Sequence, residues 1–135
     1  MGYEFLVGRC MSKLDSFVLP PRQENLAAWL GRDLTTHPTR WVTQLSSGHI
    51  TELKNAMSKV LSSGLELKEI SREVFPLPSL GPTLLSLQQE LLNGRGFALI
   101  RGLKTEEFTE KELGIIFFGL GSYLGHARSQ NAAGD

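Results

Sequence analysis

The last residues of the chain, "YLGHARSQNAAGD", concentrate side chains that could take part in chemistry. They follow the apolar run "LGIIFFGLGSYLG" and include His126, Arg128, Ser129, Gln130 and Asn131. An imidazole can act as an acid or a base, a guanidinium binds anions, and amides and hydroxyls hydrogen-bond polar ligands. This composition fits the edge of an active site, but it also fits the tail of a domain or the border of a missing part.

The histidines of the chain are not spaced like the ligands of a metal site. They are His37, His49 and His126, and none is followed two residues later by Asp or Glu. The short-range pair typical of a 2-His-1-carboxylate iron site is therefore absent from the sequence. We predict that none of the three binds a metal. His37 lies in a turn before Pro38, and His49 lies in the first turn of a helix.

Other catalytic patterns are incomplete. The glycines of "GLGSYLG" close a helix, whereas a dinucleotide-binding loop follows a strand and opens a helix. No G-x-S-x-G motif is present, and Cys10 lies in a segment without a clear pattern. Arg95 and Arg101 bracket a predicted strand and could bind an anion, but surface ion pairing is the commoner outcome for such residues. Taken by themselves, these residues do not form a complete catalytic site.

Composition excludes several classes of partner. The 135 residues suffice for one domain, and 14 basic and 14 acidic residues give a formal net charge of zero. Nucleic-acid binding normally requires a clustered basic face, so we expect no nucleic-acid partner. The longest apolar run is too short for a membrane span and is interrupted by glycines. A lone cysteine fits a reducing compartment, and we predict a cytoplasmic protein.

Three helices and one strand are predicted to position these residues. Helical periodicity predicts helices over residues 49–62 and 82–93, and Thr109 and Glu112 have the capping-box spacing at the start of a third. The run "GFALIRG" is typical of a short buried strand. The predicted buried faces are Ile50, Leu53, Ala56, Met57, Val60 and Leu61 in the first helix, Leu84, Leu87, Leu91 and Leu92 in the second, and Leu113, Ile116, Phe117, Leu120 and Leu124 in the third.

A single strand cannot form a sheet, because its backbone donors and acceptors need neighbours. Either the segment before the first helix supplies strands, or the partner strands lie outside this chain. The part of that segment around Trp29 and Trp41 is interpreted as irregular structure held by aromatic contacts. Residues 1–25 are predicted to be an irregular lead-in, and the fold class to be α+β, with about three main helices packed on one or two strands.

The chain from Trp29 to its end resembles the N-terminal part of the TauD/TfdA-like dioxygenases, especially their fungal branch. The resemblance is carried by "AWLGRDL", "RWVTQL", "HITELKNAMSKV", "FPLPSLGPTLLSLQQELLNGRGFALIRGL" and "FFGLGSYLGHARSQNAAGD", which occur in the order of the family. It implies that residues 26–135 are the N-terminal portion of such a domain. It also implies an incomplete part of a double-stranded β-helix, the jelly-roll fold of these oxygenases.

Complete members of the family use Fe(II) and 2-oxoglutarate, which are held by a His-x-Asp motif, a distal His and a distal Arg. By the resemblance, these residues come after the position where this sequence ends, so none is assigned here, and we expect no cofactor for this chain alone. The segment after the third helix lines the substrate entrance in the family. This implies that Gln130 and Asn131 contact substrate, with Arg128 and Ser129 behind them. Capping and positioning of the next strand is an equally good role for them.

Three functional hypotheses follow. In the first, the chain is a truncated oxygenase whose lineage hydroxylates a small molecule but which cannot perform iron chemistry alone. In the second, it is a non-enzymatic remnant that binds a partner by adding an exposed strand edge to another sheet. In the third and weakest, it is a metal-independent enzyme that uses His126 as an acid or base in the old pocket.

Overall fold

The computed structural model describes residues 19–128 of the chain. Its elements in chain order are helix α1 (Gly31–Thr36), strand β1 (Val42–Gln44), helix α2 (Ser47–Ser63), helix α3 (Gly81–Asn93), strand β2 (Leu99–Arg101) and helix α4 (Glu110–Leu124). Short 3₁₀ helices occupy Pro38–Arg40, Leu67–Glu69 and Thr105–Glu107. The α+β class is confirmed for the described range, with α1 as a short helix beyond the three that were predicted. None of these helices is long and apolar enough to cross a membrane.

Helix α2 begins and ends where the sequence provides caps. The Ser46 hydroxyl accepts a hydrogen bond from the backbone N–H of His49 at 3.2 Å, and the imidazole Nδ1 of His49 accepts one from the N–H of Ser46 at 3.3 Å. These bonds satisfy donors that a helix start leaves without partners. Gly64 ends the helix with φ +69°, a left-handed conformation that glycine adopts without steric cost.

Helix α4 begins with the predicted capping box. The backbone N–H of Thr109 donates to the Glu112 carboxylate at 2.7 Å, and the Thr109 hydroxyl accepts from the N–H of Glu112 at 3.3 Å. The hydrogen bonds from the backbone and the hydroxyl of Thr109 hold the pKa of Glu112 below its usual value. The carboxylate therefore stays ionised at the positive end of the helix dipole, where it is most favourable.

The two strands form a parallel sheet in which Val42 lies beside Leu99, Thr43 beside Ile100, and Gln44 beside Arg101. The segment before α2 thus supplies the partner strand of β2. Within the described range, the first of the two alternatives for the sheet therefore holds. Irregular structure was predicted there, and this is wrong for α1 and β1. Short elements of this kind carry too few residues to show a period.

Aromatic contacts hold this N-terminal segment in place, as predicted. The ring of Phe97 lies 4.9 Å from that of Trp29 and 5.9 Å from that of Trp41, measured between centroids. The indole N–H of Trp41 donates to the carbonyl of Leu34 at 3.0 Å. Phe97, two residues before β2, therefore anchors the chain on both sides of α1.

The hydrophobic core lies between α2, α3, α4 and the connector formed by residues 70–80. Phe75, Leu53, Leu80, Leu84, Ile116 and Val60 are its largest fully buried side chains. The buried residues of α2 are Leu53, Ala56, Met57 and Val60, all of which belong to the predicted face. Two of the six largest core residues, Phe75 and Leu80, lie on the connector, so this proline-containing segment is part of the core rather than a loose link.

Two residues assigned to buried faces are exposed instead. Phe117 on α4 is 74% exposed and Leu92 on α3 is 70% exposed. In α4 the inward positions are Ile115, Ile116 and Tyr123 together with Gly119. Apolar residues lie on more than one side of this helix, so periodicity could not tell which side contacts the core.

A close contact between α4 and the connector depends on a glycine. A Cβ atom at Gly119 would lie 2.5 Å from the ring of Phe75, which is far below normal van der Waals contact. Because Gly119 has no side chain, the ring of Phe75 in the connector packs directly against the backbone of α4. Neither residue has a polar side chain, so shape alone fixes this contact.

Gly119→Ala is expected to destabilise the chain by about 1–3 kcal/mol, the usual cost of overpacking a well-filled core. Gly121→Ala is the matched control in the same helix, because no heavy atom lies within 4 Å of its Cβ position. The control should gain about 0.5–1 kcal/mol from higher helix propensity. Urea unfolding of the two variants measures both effects. Equal stability of the two would contradict the contact.

Candidate functional site

The segment with the densest polar chemistry begins where α4 ends. The N–H of Gly125 donates to the carbonyl of Gly121 at 3.0 Å, and the chain then leaves the helix as exposed backbone. His126 and Arg128 are both exposed there. Ser129, Gln130 and Asn131 lie outside the described residues, so their assignment to substrate contacts stays a prediction. We call residues 125–128 the exit segment.

The last carbonyls of α4 are bound by side chains from two other elements. The guanidinium of Arg72 donates to the carbonyl of Ser122 at 2.9 Å and to that of Tyr123 at 3.0 Å. The side-chain amide of Gln88 on α3 donates to the carbonyl of Leu124 at 3.0 Å. Three successive carbonyls without helical partners are thereby satisfied. The direction in which the exit segment leaves α4 is fixed by the connector and by α3.

Tyr123 binds the C-terminal end of α4 to the connector through contacts inside the core. Its side chain is buried, and its hydroxyl accepts from the N–H of Leu77 at 2.9 Å while it donates to the carbonyl of Phe75 at 3.2 Å. The Arg72 guanidinium lies 5.5 Å from the centroid of its ring. A buried tyrosine hydroxyl needs such partners, because an unpaired polar group in the core is costly.

A close glycine also accommodates this tyrosine. A Cβ atom at Gly81, the first residue of α3, would lie 2.9 Å from the ring of Tyr123. The start of α3 can therefore approach α4 only because residue 81 has no side chain. The ring thus contacts α3 through a glycine, just as Phe75 contacts α4.

The histidines take structural or exposed positions. His49 is part of the α2 cap, His37 follows α1 directly, and His126 lies in the exit segment. Within residues 19–128 no group of three or more His, Cys, Asp or Glu side chains could hold a metal ion. Within residues 19–128, the exit segment thus contains the exposed imidazole of His126, with no ligand set around it.

Several charged residues outside the exit segment are engaged in surface contacts. Arg95 lies 3.5 Å from the carboxylate of Glu90 and also donates to the carbonyl of Arg40. Lys54 on α2 donates to Glu107 at 3.0 Å, and this hydrogen bond is the main reason why the pKa of Glu107 lies below its usual value. Surface ion pairs of this kind contribute little to stability. They position the segments around the sheet and do not form an anion site.

A shallow groove of about 380 Å³ lies between α2 and the connector, lined by Thr51, Glu52, Asn55, Lys59 and Pro76 among others. The Glu52 carboxylate accepts from the backbone N–H groups of Ser79 at 2.8 Å and Leu80 at 2.9 Å. It therefore caps the start of α3 from a neighbouring helix. Because both of its oxygens are occupied in this way, it is poorly placed to act on a ligand.

Sequence analysis missed Arg72, Gln88 and Tyr123, the residues that fix the exit segment. Arg72 lies about 50 positions before the carbonyls that it binds, and no local pattern links the two. A signal did exist for Tyr123, since a tyrosine on the apolar face of a helix must find a partner for its hydroxyl. The partner itself, a backbone N–H in the connector, could not be identified without the fold.

Tyr123→Phe should destabilise the chain by about 1–3 kcal/mol, because it leaves the buried N–H of Leu77 without an acceptor. Ser122→Ala is the neighbouring control, since its hydroxyl bonds only the Gly119 carbonyl of its own helix. We expect the control to change stability by no more than about 0.5 kcal/mol. Chemical denaturation measures both. Wild-type stability of Tyr123→Phe would show that the hydroxyl network is unimportant.

Comparison with characterised sequences identifies two relatives. The chain is 34% identical over 106 residues to the taurine hydroxylase-like protein SAT17 of Stachybotrys chartarum, a match that covers 78% of this chain and 27% of that protein. It is 30% identical over 97 residues to the FR-33289 synthase of Streptomyces rubellomurinus, a match that covers 72% of this chain and 29% of the synthase. No family model matches the chain.

The matches extend over most of this chain but over only part of each relative. The chain spans between a quarter and a third of the length of these two proteins. Because the alignment to the Stachybotrys protein covers 106 of 135 residues, at most 29 residues lie outside it, so its span includes residues 30–106. Both strands and the helices between them are therefore shared, and by this homology the chain belongs with the TauD-like family that its sequence resembles.

Proposed function

We propose that this chain is a portion of a TauD/TfdA-like, Fe(II)- and 2-oxoglutarate-dependent oxygenase whose lineage hydroxylates a small molecule. The observation that carries the proposal is the 34% identity to a protein named for taurine hydroxylase over 78% of this chain. In the proposed role, the three main helices and the two strands form one part of a larger double-stranded β-helix. The parallel sheet, with helices packed beside it, is compatible with such a part.

The described residues do not fit an iron site. An iron site of this class needs two histidines and a carboxylate arranged around open positions. No group of three such side chains comes together between residues 19 and 128. We therefore assign no catalytic step to them, and we propose that Fe(II) and 2-oxoglutarate would be held by residues other than these. On this proposal the 135-residue chain is not competent for iron chemistry by itself.

The proposed contribution of this chain to the active site is positional. Arg72 and Gln88 fix the carbonyl end of α4, and Tyr123 fixes its buried side. The exit segment contains Arg128, which belongs with the following residues Ser129, Gln130 and Asn131 to the predicted substrate contacts. The ligand for such contacts would be a polar small molecule, and the proposed location of the protein is the cytoplasm.

The proposal predicts that the purified 135-residue chain neither binds one equivalent of Fe(II) nor consumes 2-oxoglutarate. The physical reason is that residues 19–128 bring no ligand set together, since an exposed imidazole alone binds iron weakly and without a fixed geometry. Anaerobic Fe(II) titration and succinate release measure the two quantities, with a complete TauD-like enzyme as the positive control. Robust turnover of 2-oxoglutarate by this chain would refute its proposed incompetence.

His126→Ala provides a second control for that experiment. If the chain shows any activity without iron, and this variant retains it, the hypothesis of a metal-independent enzyme based on His126 is also eliminated. Loss of such an activity in the variant would favour that hypothesis over an iron-dependent reaction.

A second candidate function is a partner-binding remnant that performs no chemistry. It is favoured by the sheet, which has only two strands within residues 19–128 and thus offers its outer edges for pairing. This function predicts that the purified chain self-associates or captures a strand of another protein. Size-exclusion chromatography with light scattering would test it, and a compact, well-behaved monomer would argue against it.

A further inference from the structure

The last residue of α3, Asn93, is followed by Gly94, and this residue pair is chemically labile. The chain has four asparagines, and only Asn93 precedes a glycine. The backbone nitrogen after an asparagine can attack the side-chain carbonyl carbon, and glycine hinders that attack least because it has no side chain. Asn93 is exposed, so water reaches the reacting group. The pair is therefore a candidate site for spontaneous deamidation.

The fold itself requires the glycine of this pair. A Cβ atom at Gly94 would lie 2.7 Å from the carboxylate of Glu90 and 3.0 Å from its carbonyl oxygen. The carboxylate could move aside, but the carbonyl belongs to the helix backbone. It also accepts hydrogen bonds from the N–H groups of Gly94 and Gly96, both at 3.1 Å. A side chain at position 94 would thus disturb the end of α3, so the labile pair is a consequence of how this helix ends.

The closed end of α3 separates the reacting atoms. The N–H of Gly94 donates to the Glu90 carbonyl, and the side-chain amide of Asn93 donates to the side chain of Gln89 at 3.0 Å. A helical backbone also directs the Asn93 side chain towards the start of the helix, away from the nitrogen of the next residue. Ring closure therefore requires the last turn to open, and helix ends open at a low cost in free energy.

We propose that Asn93 is a site of spontaneous deamidation whose rate is set by the opening of the last turn of α3. In the open turn, the deprotonated nitrogen of Gly94 forms a bond to Cγ of Asn93. The bond from Cγ to Nδ2 breaks, water supplies the protons that the leaving group needs, and ammonia departs. A second water then opens the succinimide at either carbonyl, which yields isoaspartate or aspartate. This proposal does not depend on the oxygenase assignment.

The product is expected to weaken the end of α3. A carboxylate at position 93 is unfavourable at the negative end of the helix dipole, and Glu90 carries the same charge three positions earlier. Isoaspartate also lengthens the backbone by a methylene group, because the chain then runs through the former side chain. The N–H groups of Gly94 and Gly96 cannot both retain their bonds to the Glu90 carbonyl in such a backbone.

The loop after the modified residue connects this change to the sheet. Arg95 donates to the carbonyl of Arg40, which lies shortly before β1. Phe97 contacts the rings of Trp29 and Trp41. These contacts fix the segment before β1 to the loop before β2. A longer and less restrained backbone at the end of α3 is therefore expected to loosen both.

Peptide mapping of the 135-residue chain during incubation at neutral to mildly alkaline pH tests the site. Tryptic cleavage gives peptides that each contain a single asparagine, namely residues 23–32, 55–59 and 73–95. Asn93 should be converted to isoaspartate and aspartate at least about tenfold faster than Asn25 and Asn55, which precede larger residues. Mass spectrometry detects the loss of the amide, and synthetic peptides that contain either product identify each by its retention time.

A pair of variants at Leu92 tests the gating by α3. This residue lies in the last turn and is 70% exposed, so its replacement removes little packing. Leu92→Gly should deamidate at Asn93 about three- to tenfold faster than Leu92→Ala, because glycine weakens a helix relative to alanine. In urea the turn is open in both variants and in the wild type. Their rates should then converge on a common value that is faster than that of the native wild type.

Tryptophan fluorescence measures the consequence for the segment before β1. Trp29 and Trp41 are the two tryptophans of the chain, and both contact Phe97. The deamidated fraction, separated by anion exchange, should emit at longer wavelength because its indoles become more exposed to water. Asn93→Asp adds the charge without lengthening the backbone and should shift the emission less. Asn93→Gln retains an amide that closes the ring far less readily, and its emission should not change during the incubation.

Three results would overturn the proposal. The first is conversion of Asn93 in the native chain that is no faster than that of Asn25 and Asn55, which would remove the site. The second is equal native rates in Leu92→Gly and Leu92→Ala, or a native wild-type rate equal to that in urea, which would remove the gating. The third is a deamidated fraction with unchanged tryptophan emission, which would remove the effect on the segment before β1.

Discussion

The close contact between the connector of residues 70–80 and α4 is the constraint on which the rest of the fold depends. Phe75 lies directly against the backbone at Gly119, and the Tyr123 hydroxyl forms two hydrogen bonds with the backbone of the connector. One contact is purely steric and the other is polar, so together they fix both the distance and the register of the two segments. Because the connector leads into α3, the same contact determines where α3 begins and how it crosses α4.

This arrangement explains why so many prolines occur in a segment that belongs to the core. Pro76 and Pro78 flank Leu77, which is buried and whose N–H binds Tyr123. A proline has no N–H, so the flanking residues leave no unsatisfied donor beside the buried one. Their fixed backbone angles also reduce the entropy that the connector loses when it packs. The carboxylate of Glu52 then completes the turn into α3 by accepting from Ser79 and Leu80.

Much of the helical structure could be predicted from local signals. The predicted ranges 49–62 and 82–93 agree with α2 and α3 to within two residues at each end, and Thr109 caps α4 as its spacing indicated. Local chemistry fixes a cap, and a single apolar stripe fixes the orientation of α2. Helix α4 has apolar residues on several sides, so Phe117 was assigned to the wrong face. Strand β1 escaped detection because its pairing with β2 joins residues more than 50 positions apart.

The candidate site was less accessible to sequence reasoning than the fold. Residue type identified the polar exit segment, and family resemblance indicated its role. The side chains that bond the end of α4, where this segment begins, are however distant from it in the sequence. Arg72 and Gln88 lie on different elements and donate to backbone carbonyls. Because every residue has a backbone carbonyl, the types of the accepting residues do not predict these bonds.

The guanidinium of Arg72 also changes the electrostatics at the end of α4. An uncompensated helix terminus carries the equivalent of about half a negative elementary charge, which repels anions. Here a full positive charge bonds two of the terminal carbonyls, and Arg128 follows in the exposed exit segment. The local potential is therefore reversed over the first residues beyond the helix. An anionic group beside these residues would be attracted, whereas a bare helix end would repel it.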